Sequence, residues 1–250
     1  MKIIIDGKEC IAEKGEYILH IAKRNGIYIP TLCYNESFEG LSACRICIVE
    51  IEERGKRNIV TSCNYPVNNE IEVFTHSDKI VSMRKTLLML IASRLKDISL
   101  LKELLEEYGV KRNDRFKNIG DDNCIMCGLC VKACDALGSN AIGTAFRGIN
   151  KKISTPFEEP PENCIGCTSC ASICPVGAIK YKDEGGIRFI WNGEFKLVKC
   201  EQCGSYYATE KQIKYIEEKT GEKEDIHLCD ICKRKLNAKN FREVFKNITK

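Results

Sequence analysis

The chain has 250 residues, a formal net charge of +4 and 17 cysteines; its basic and acidic residues are mixed, so charge gives no indication of a nucleic-acid partner. The odd number of cysteines and the lack of an apolar export segment at the start argue against a secreted disulfide framework and favour metal-binding thiols in a reducing compartment. The longest apolar run, residues 87–92, is far too short to span a bilayer, so we expect a cytoplasmic protein without membrane insertion.

Residues 1–78 have the pattern of a small sheet with one helix. The Asp6-Gly7 turn lies between two strand-like segments and predicts a hairpin. An amphipathic helix with apolar residues at Ile18, Leu19, Ile21 and Ala22 follows and ends at Asn25-Gly26. This order predicts a β-grasp domain. Its strands are expected at residues 2–5, 9–12, 46–51, 59–62 and 71–75.

Four cysteines in this domain have the spacing C-x10-C-x2-C-x15-C, namely Cys33, Cys44, Cys47 and Cys63. The spacing is related to that of plant-type ferredoxins but has a longer first gap. Two close and two distant thiolates on a small sheet suit a [2Fe–2S] cluster. The small residues Gly40, Ser42 and Ala43 would let backbone N–H groups approach the cluster sulfurs. Zinc is the alternative metal for these four cysteines, although the loop is unusually long for a zinc knuckle.

Residues 79–120 are predicted to form a helical linker. Ser77 or Asp78 would cap a helix that continues to Arg94, and a second helix, residues 100–108, would end at Gly109. The leucine-rich face of the first helix is typical of packing between domains, and that of the second is typical of a core or subunit contact. Three further residues lack partners at metal-ligand spacing and are interpreted as core or surface residues: Cys10, His20 and His76.

The stretch from Asn123 to Pro175, within a predicted domain of residues 121–182, contains the pattern C-x2-C-x2-C-x3-C twice. In bacterial ferredoxins with two [4Fe–4S] clusters, the fourth cysteine of each run ligates the other cluster. Zinc or a disulfide framework fits this spacing less well. Asp135 replaces the proline that ends such a run, which we expect to shift a cluster potential. The first cluster is predicted to take Cys124, Cys127, Cys130 and Cys174, and the second Cys134, Cys164, Cys167 and Cys170.

Residues 183–250 are predicted to form a metal-binding C-terminal module. A hairpin around Gly185-Gly186 and Trp191 precedes two C-x2-C pairs, and a helix over residues 209–219 lies between the pairs. This spacing is typical of a tetrahedral zinc site; a further [4Fe–4S] cluster or free thiols are the alternatives, and His227 is a less favoured substitute ligand. The four predicted zinc ligands are Cys200, Cys203, Cys229 and Cys232.

These motifs resemble a known family of iron–sulfur subunits. The segments D-G-K, I-P-T-L-C-Y, C-R-I-C-I-V-E and T-S-C are similar to the N-terminal part of the complex I large peripheral subunit, to the N-terminus of iron-only hydrogenases and to the diaphorase gamma subunit of NAD-reducing nickel–iron hydrogenases. N-C-I-M-C-G-L-C, R-G-I-N and C-P-V-G-A-I extend the resemblance over residues 1–180. The C-terminal module more weakly resembles the ends of some ferredoxin-like hydrogenase subunits.

The chain departs from the family in two respects. Most relatives carry a site of one histidine and three cysteines for an extra [4Fe–4S] cluster, but residues 92–120 contain neither residue type, so we expect that cluster to be absent. The remaining clusters would then lie close enough for tunnelling, or a partner subunit would bridge them. We also expect no substrate chemistry in this chain, because the sequence leaves no room for a hydrogenase or molybdopterin-like domain and has no G-x-G-x-x-G motif.

The resemblance therefore implies an α+β chain that carries one [2Fe–2S] cluster, two [4Fe–4S] clusters and one Zn²⁺ in a zinc-ribbon-like module. Its expected role is an electron relay in an NAD(P)H-linked oxidoreductase. The expected partners are a flavin- and NAD(H)-binding iron–sulfur subunit and a terminal subunit such as a hydrogenase. Relatives that bifurcate electrons add ferredoxin as a further candidate partner. The alternatives are an iron–sulfur sensing protein that binds partners through the zinc module, and a self-sufficient reductase that uses free ferredoxin.

Overall fold

A computed structural model describes residues 1–97, 99–111, 123–221 and 227–248 of the chain. The start of the predicted ferredoxin domain and the end of the predicted linker therefore lie outside the described residues. The chain divides into two compact units. The first comprises Met1–Ala133, Thr144–Ile153 and Ile173–Ala178, and the second Cys134–Gly143, Ser154–Ser172 and Ile179–Lys250.

The first unit contains a five-stranded sheet in the order β2-β1-β5-β3-β4. Strands β1 and β5 are parallel, and the other neighbours are antiparallel. Helix α1, Ile18–Arg24, buries the four apolar residues predicted for it, in one core with inward-facing strand residues such as Ile3 and Val49. The predicted hairpin and helix are thus confirmed. The strands are β1 (Lys2–Ile5), β2 (Lys8–Ile11), β3 (Ile48–Glu53), β4 (Lys56–Thr61) and β5 (Glu72–Phe74).

Two helices follow this sheet. The Ser77 hydroxyl accepts a hydrogen bond from the Ile80 N–H at 3.4 Å and caps α2, Asp78–Ala92, which ends two residues before the predicted position. The predicted second helix is divided into a 3₁₀ turn, Ser99–Leu101, and α3, Lys102–Glu107. Both helices bury apolar residues in a second core of the first unit.

The cysteine-rich stretch contains two short helices, each of which begins within a C-x2-C-x2-C run. These are α4, Leu129–Ala136, and α5, Ser169–Ser172. Between them lie the paired strands β6, Gly143–Ala145, and β7, Lys152–Ser154, together with two 3₁₀ turns at Gly148–Asn150 and Pro156–Glu158. The division between the two compact units passes through this stretch.

The second unit contains a four-stranded antiparallel sheet in the order β11-β10-β9-β8. It has two tight turns, at Gly185-Gly186 and at Trp191-Asn192, and all four turn residues have positive φ angles. The single predicted hairpin was therefore incomplete. No helix in the described part of the chain is both long and apolar enough to cross a membrane. The elements are β8 (Lys182–Glu184), β9 (Ile187–Ile190), β10 (Gly193–Lys199), β11 (Tyr206–Thr209), α6 (Glu210–Thr220) and α7 (Asp230–Ile248).

Candidate metal centres

The first candidate centre is formed by the loop that joins α1 to β3 and by the segment that follows β4. Its four predicted ligands, Cys33, Cys44, Cys47 and Cys63, are all buried. The Cys44 N–H donates to the Cys33 Sγ at 3.4 Å, and the Ile46 N–H donates to the Cys44 Sγ at 3.5 Å. Backbone donors directed at the cysteine sulfurs are the supporting interactions that an iron–sulfur cluster requires.

The thiols of this centre interact in two pairs. A hydrogen bond with Cys44 raises the pKa of Cys33, and the same contact lowers the pKa of Cys44 to about 7. In the second pair, a hydrogen bond with Cys47 lowers the pKa of Cys63 to about 6. One thiol of each pair therefore favours the thiolate form, which is the form that binds iron.

A close approach of two chain segments closes this loop. A Cβ atom at Gly40 would lie 2.2 Å from the carbonyl oxygen of Cys63, far inside van der Waals contact, so only glycine fits there. The Ser42 hydroxyl lies 3.6 Å from the Cys63 Sγ and 2.9 Å from the Thr61 hydroxyl. Two of the three small residues that the sequence singled out, Gly40 and Ser42, are therefore packed directly against Cys63.

The second candidate centre also belongs to the first unit and contains the predicted ligands Cys124, Cys127, Cys130 and Cys174. The Met126 N–H donates to the Cys124 Sγ at 3.4 Å, and the Ala178 N–H donates to the Cys174 Sγ at 3.2 Å. Burial raises the pKa of Cys127 to about 11.

This centre shares a core with the first one. Cys127 and Cys174 belong to the same apolar cluster as Cys33 and Cys44. A Cβ atom added at Gly128 would lie 3.8 Å from the Leu41 side chain, an ordinary contact distance. The two cysteine loops therefore lie directly against each other within one unit.

The third candidate centre, with the predicted ligands Cys134, Cys164, Cys167 and Cys170, lies in the second unit. The Ala141 N–H donates to the Cys134 Sγ at 3.2 Å, and the Trp191 indole Nε1–H donates to the Cys170 Sγ at 3.4 Å. Burial raises the pKa of Cys170 to about 11. Gly166, in the loop between two of the cysteines, has φ +66° and packs against the Phe195 ring.

The predicted exchange of the fourth cysteine agrees with this division of the chain. Cys174 falls in the same unit as the first run, and Cys134 falls in the same unit as the second run. Without the exchange, each set of four would be split between the two units. The ligand sets themselves remain predictions.

The fourth candidate centre is the most compact. The sulfurs of Cys200, Cys203, Cys229 and Cys232 all lie within 4.8 Å of one another, and no other group of potential ligand side chains in the described residues is as close. The backbone N–H of Cys229 lowers the pKa of Cys200 to about 6. A single tetrahedral ion fits sulfurs this close, because a cubane holds its ligands further apart. His227 is not a member of the group.

Three functional candidates were missed in the sequence, and each supports a cysteine loop. Arg84 lies on the buried stripe of α2, four residues from both Ile80 and Leu88, and donates to the carbonyl oxygen of Ile46. Arg188 lies on the same buried face of β9 as Ile190 and donates to the carbonyl oxygen of Gly166. The third is Trp191. An arginine at an apolar position of the pattern was the signal that could have indicated the first two.

The comparisons with known proteins agree with the cysteine pattern. Residues 1–78 match the model of a 2Fe-2S iron-sulfur cluster binding domain, and residues 117–181 match that of a 4Fe-4S dicluster domain. The chain is 32% identical over 211 residues to NADP-reducing hydrogenase subunit HndD of Solidesulfovibrio fructosivorans. This alignment covers 72% of this chain and 36% of that protein. It is 31% identical over 236 residues to the G 2 subunit of NADH-quinone oxidoreductase from Rhizobium meliloti, which covers 82% of this chain and 27% of the relative.

A solved structure has a similar fold. A chain of NAD+-reducing [NiFe]-hydrogenase in the H2-reduced state superposes with a TM-score of 0.60 at 26% identity, which covers 71% of this chain and 85% of the other. The resemblance expected from the sequence motifs is therefore confirmed. The chain spans only about a third of the curated relatives it matches, or less.

Proposed function

We propose that this chain, which is homologous to subunits of NAD(P)-linked hydrogenases and of NADH-quinone oxidoreductase, is an iron–sulfur electron-transfer subunit of an NAD(P)H-linked oxidoreductase. Its partners would be a flavin- and NAD(H)-binding iron–sulfur subunit and a terminal oxidoreductase subunit such as a hydrogenase. The observation that carries the proposal is the shared core of the first two cysteine loops, which fits a path for electrons inside one unit.

The residues of the chain have three tasks in this role. The cysteines hold clusters that, when bound, accept and release one electron each. The N–H groups of Ile46, Met126, Ala141 and Ala178 stabilise negative charge at the sulfurs. The core that Leu41 shares with Cys33 and Cys127 favours direct transfer between the [2Fe–2S] site and the first [4Fe–4S] site, without the histidine-ligated cluster of most relatives.

The finer domain assignment is part of the proposal. Strand order and the packing of α1 support a β-grasp fold for residues 1–78. The linker over residues 79–120 and the ferredoxin domain over residues 121–182 follow from the cysteine pattern. The compact Cys₄ group supports one Zn²⁺ in a zinc-ribbon-like module over residues 183–250. Sixteen of the 17 cysteines, all except Cys10, are assigned as thiolate ligands, and this use of thiols favours a cytoplasmic location.

The test is a metal and flavin analysis of the native complex, purified anaerobically, with its subunits identified by mass. After the clusters of partner subunits are subtracted, we expect about ten iron atoms and one zinc ion per chain, together with a flavoprotein partner. About fourteen iron atoms without zinc would replace the zinc site by a further [4Fe–4S] cluster. A solitary chain without a flavoprotein would contradict the relay and favour a sensing protein.

A further inference from the structure

Arg84 is a fully buried cation, with an exposed fraction of 0%. Its Nε donates to the carbonyl oxygen of Ile46 at 2.9 Å, its Nη2 to the carbonyl oxygen of Ile48 at 2.6 Å, and its Nη1 to the Tyr108 hydroxyl at 2.9 Å. All three acceptors are neutral, and the nearest carboxylate in this network, the exposed Glu107, reaches the guanidinium group only through the Tyr108 hydroxyl. Among the described residues, no carboxylate lies within ion-pair distance of this guanidinium group; the buried Glu50 faces Lys79 and Arg57 instead.

A buried charge is costly unless an opposite charge compensates it, and hydrogen bonds to neutral acceptors satisfy the N–H groups without supplying that charge. Arginine stays protonated at any physiological pH, so the group cannot avoid this cost by neutralisation. The position of the guanidinium group indicates where the missing negative charge lies. It holds the carbonyl of Ile46, which stands between Cys44 and Cys47, and the N–H of the same residue donates to the Cys44 Sγ.

We propose that Arg84 is the counter-charge of the [2Fe–2S] cluster and the positioning residue of the loop between Cys44 and Cys47. This inference rests on the cluster assignment of the proposed function. Two ferric ions, two sulfides and four thiolates carry a net negative charge, and one electron from the donor subunit increases that charge by one. A fixed buried cation beside the cluster stabilises the reduced form more than the oxidised form. It therefore raises the reduction potential of this cluster.

The test compares three variants of the full chain, reconstituted anaerobically, by redox titration followed by electron paramagnetic resonance. Arg84→Met replaces the charged side chain by an unbranched apolar one, and Arg84→Lys keeps the charge. Tyr108→Phe removes one hydrogen-bond acceptor of Arg84 and keeps the cation. At the wild-type midpoint, we expect the ratio of reduced to oxidised [2Fe–2S] to fall roughly tenfold in Arg84→Met, which corresponds to about 59 mV. Arg84→Lys and Tyr108→Phe should stay near the wild-type midpoint, and the [4Fe–4S] midpoints should not move.

An Arg84→Met chain that retains the [2Fe–2S] signal at the wild-type midpoint overturns the proposal. If Arg84→Met does not retain the cluster, the Arg84→Lys chain decides between the two explanations. A wild-type midpoint in Arg84→Lys supports the counter-charge. Loss of the cluster in Arg84→Lys as well overturns the proposal, because it shows that only the shape of the guanidinium group matters. A wild-type chain that gives no [2Fe–2S] signal after reconstitution would instead contradict the proposed function itself, and the inference with it.

Discussion

The proposed [2Fe–2S] loop of the first unit and the proposed second [4Fe–4S] loop of the second unit are both held by a buried arginine. The two arginines differ in whether a carboxylate neutralises their charge. In each loop a buried arginine donates to a backbone carbonyl between two cysteines, Arg84 to Ile46 and Arg188 to Gly166. Arg84 has neutral partners, whereas both ends of the Arg188 fork bind the Asp183 carboxylate at 2.8 Å. The same side chain therefore contributes a net positive charge in one loop and half of a nearly neutral ion pair in the other.

The two loops also differ in the groups that donate hydrogen bonds to the cysteine sulfurs. The donors found at the [2Fe–2S] sulfurs are backbone N–H groups and the Ser42 hydroxyl, whereas the second [4Fe–4S] loop adds an indole N–H from Trp191. A side-chain donor can be removed by substitution and a backbone donor cannot. With the clusters bound as proposed, we expect the buried charge of Arg84 to favour reduction in the first loop and the indole hydrogen bond of Trp191 to favour it in the second.

The largest effect is expected in the first loop from Gly40→Ala. The new Cβ would lie 2.2 Å from the Cys63 carbonyl oxygen, and backbone on both sides leaves little room to move. We expect a roughly tenfold loss of the [2Fe–2S] resonance signal, with the [4Fe–4S] signals retained; the overpacking cost of about 1–3 kcal/mol includes this magnitude. Gly143→Ala is the matched control, because nothing lies within 4 Å of its Cβ position. A normal [2Fe–2S] signal in Gly40→Ala would mean that the loop is not closed as described.

A second effect is confined to the second unit. We expect Cys229→Ser to reduce the zinc content to less than roughly a tenth of the wild-type value while the iron content stays unchanged, since one ligand of a tetrahedral site is lost. The measurement is metal analysis by plasma mass spectrometry. Cys10→Ala, which removes a buried thiol outside every cysteine set, should change neither metal. A loss of about four iron atoms in Cys229→Ser would show that the compact group holds a cluster.

The electrostatic difference between the two arginines predicts a smaller shift for Asp183→Asn. The Asp183 pKa is lowered by its hydrogen bonds with Arg188, so the carboxylate is ionised at neutral pH and its removal leaves the guanidinium charge uncompensated. One [4Fe–4S] midpoint should move to a more positive potential, with the reduced fraction at the wild-type midpoint increased roughly fivefold relative to the oxidised one.

Glu184→Gln is the control for this measurement. Glu184 is the exposed neighbour of Asp183 on β8 and pairs with Lys182, so we expect no shift in any midpoint. Two unchanged [4Fe–4S] midpoints in Asp183→Asn would remove the electrostatic distinction between the loops.

The smallest effect is expected from Trp191→Phe, which keeps an aromatic ring at φ +52° and removes the indole N–H donor to Cys170. Loss of one hydrogen bond to the cluster sulfur should lower the same [4Fe–4S] midpoint, with a reduced-to-oxidised ratio about threefold lower at the wild-type midpoint. Redox titration is again the measurement, and Tyr206→Phe, which changes an exposed aromatic residue of the same unit, is the control. A shift in the [2Fe–2S] midpoint instead would contradict the assignment of the Trp191 indole to the centre that contains Cys170.

The sequence predicted local elements well where turn chemistry and periodicity agreed, as in the Asp6-Gly7 hairpin and α1. It placed the third strand two residues too early, at Ile46, because residues 46–49 form a continuous apolar run that is typical of a buried strand. Ile46 instead belongs to the cysteine loop, where its N–H and C=O groups bind a sulfur and a guanidinium group. It also missed β11, which has only four residues, and α7, whose largely polar residues show no strong apolar period.

The sequence by itself determined the type of chemistry. Cysteine spacing is local and specific, so the two ferredoxin patterns and the C-x2-C pairs could be identified without any contact map. Only the tertiary structure decided what surrounds the sulfurs: Arg84 reaches Ile46 across 38 residues, and Trp191 reaches Cys170 across 21. Such contacts depend on the packing of α2 and on the turn after β9, and no spacing rule encodes them, because burial and direction of a side chain are set by the elements packed around it.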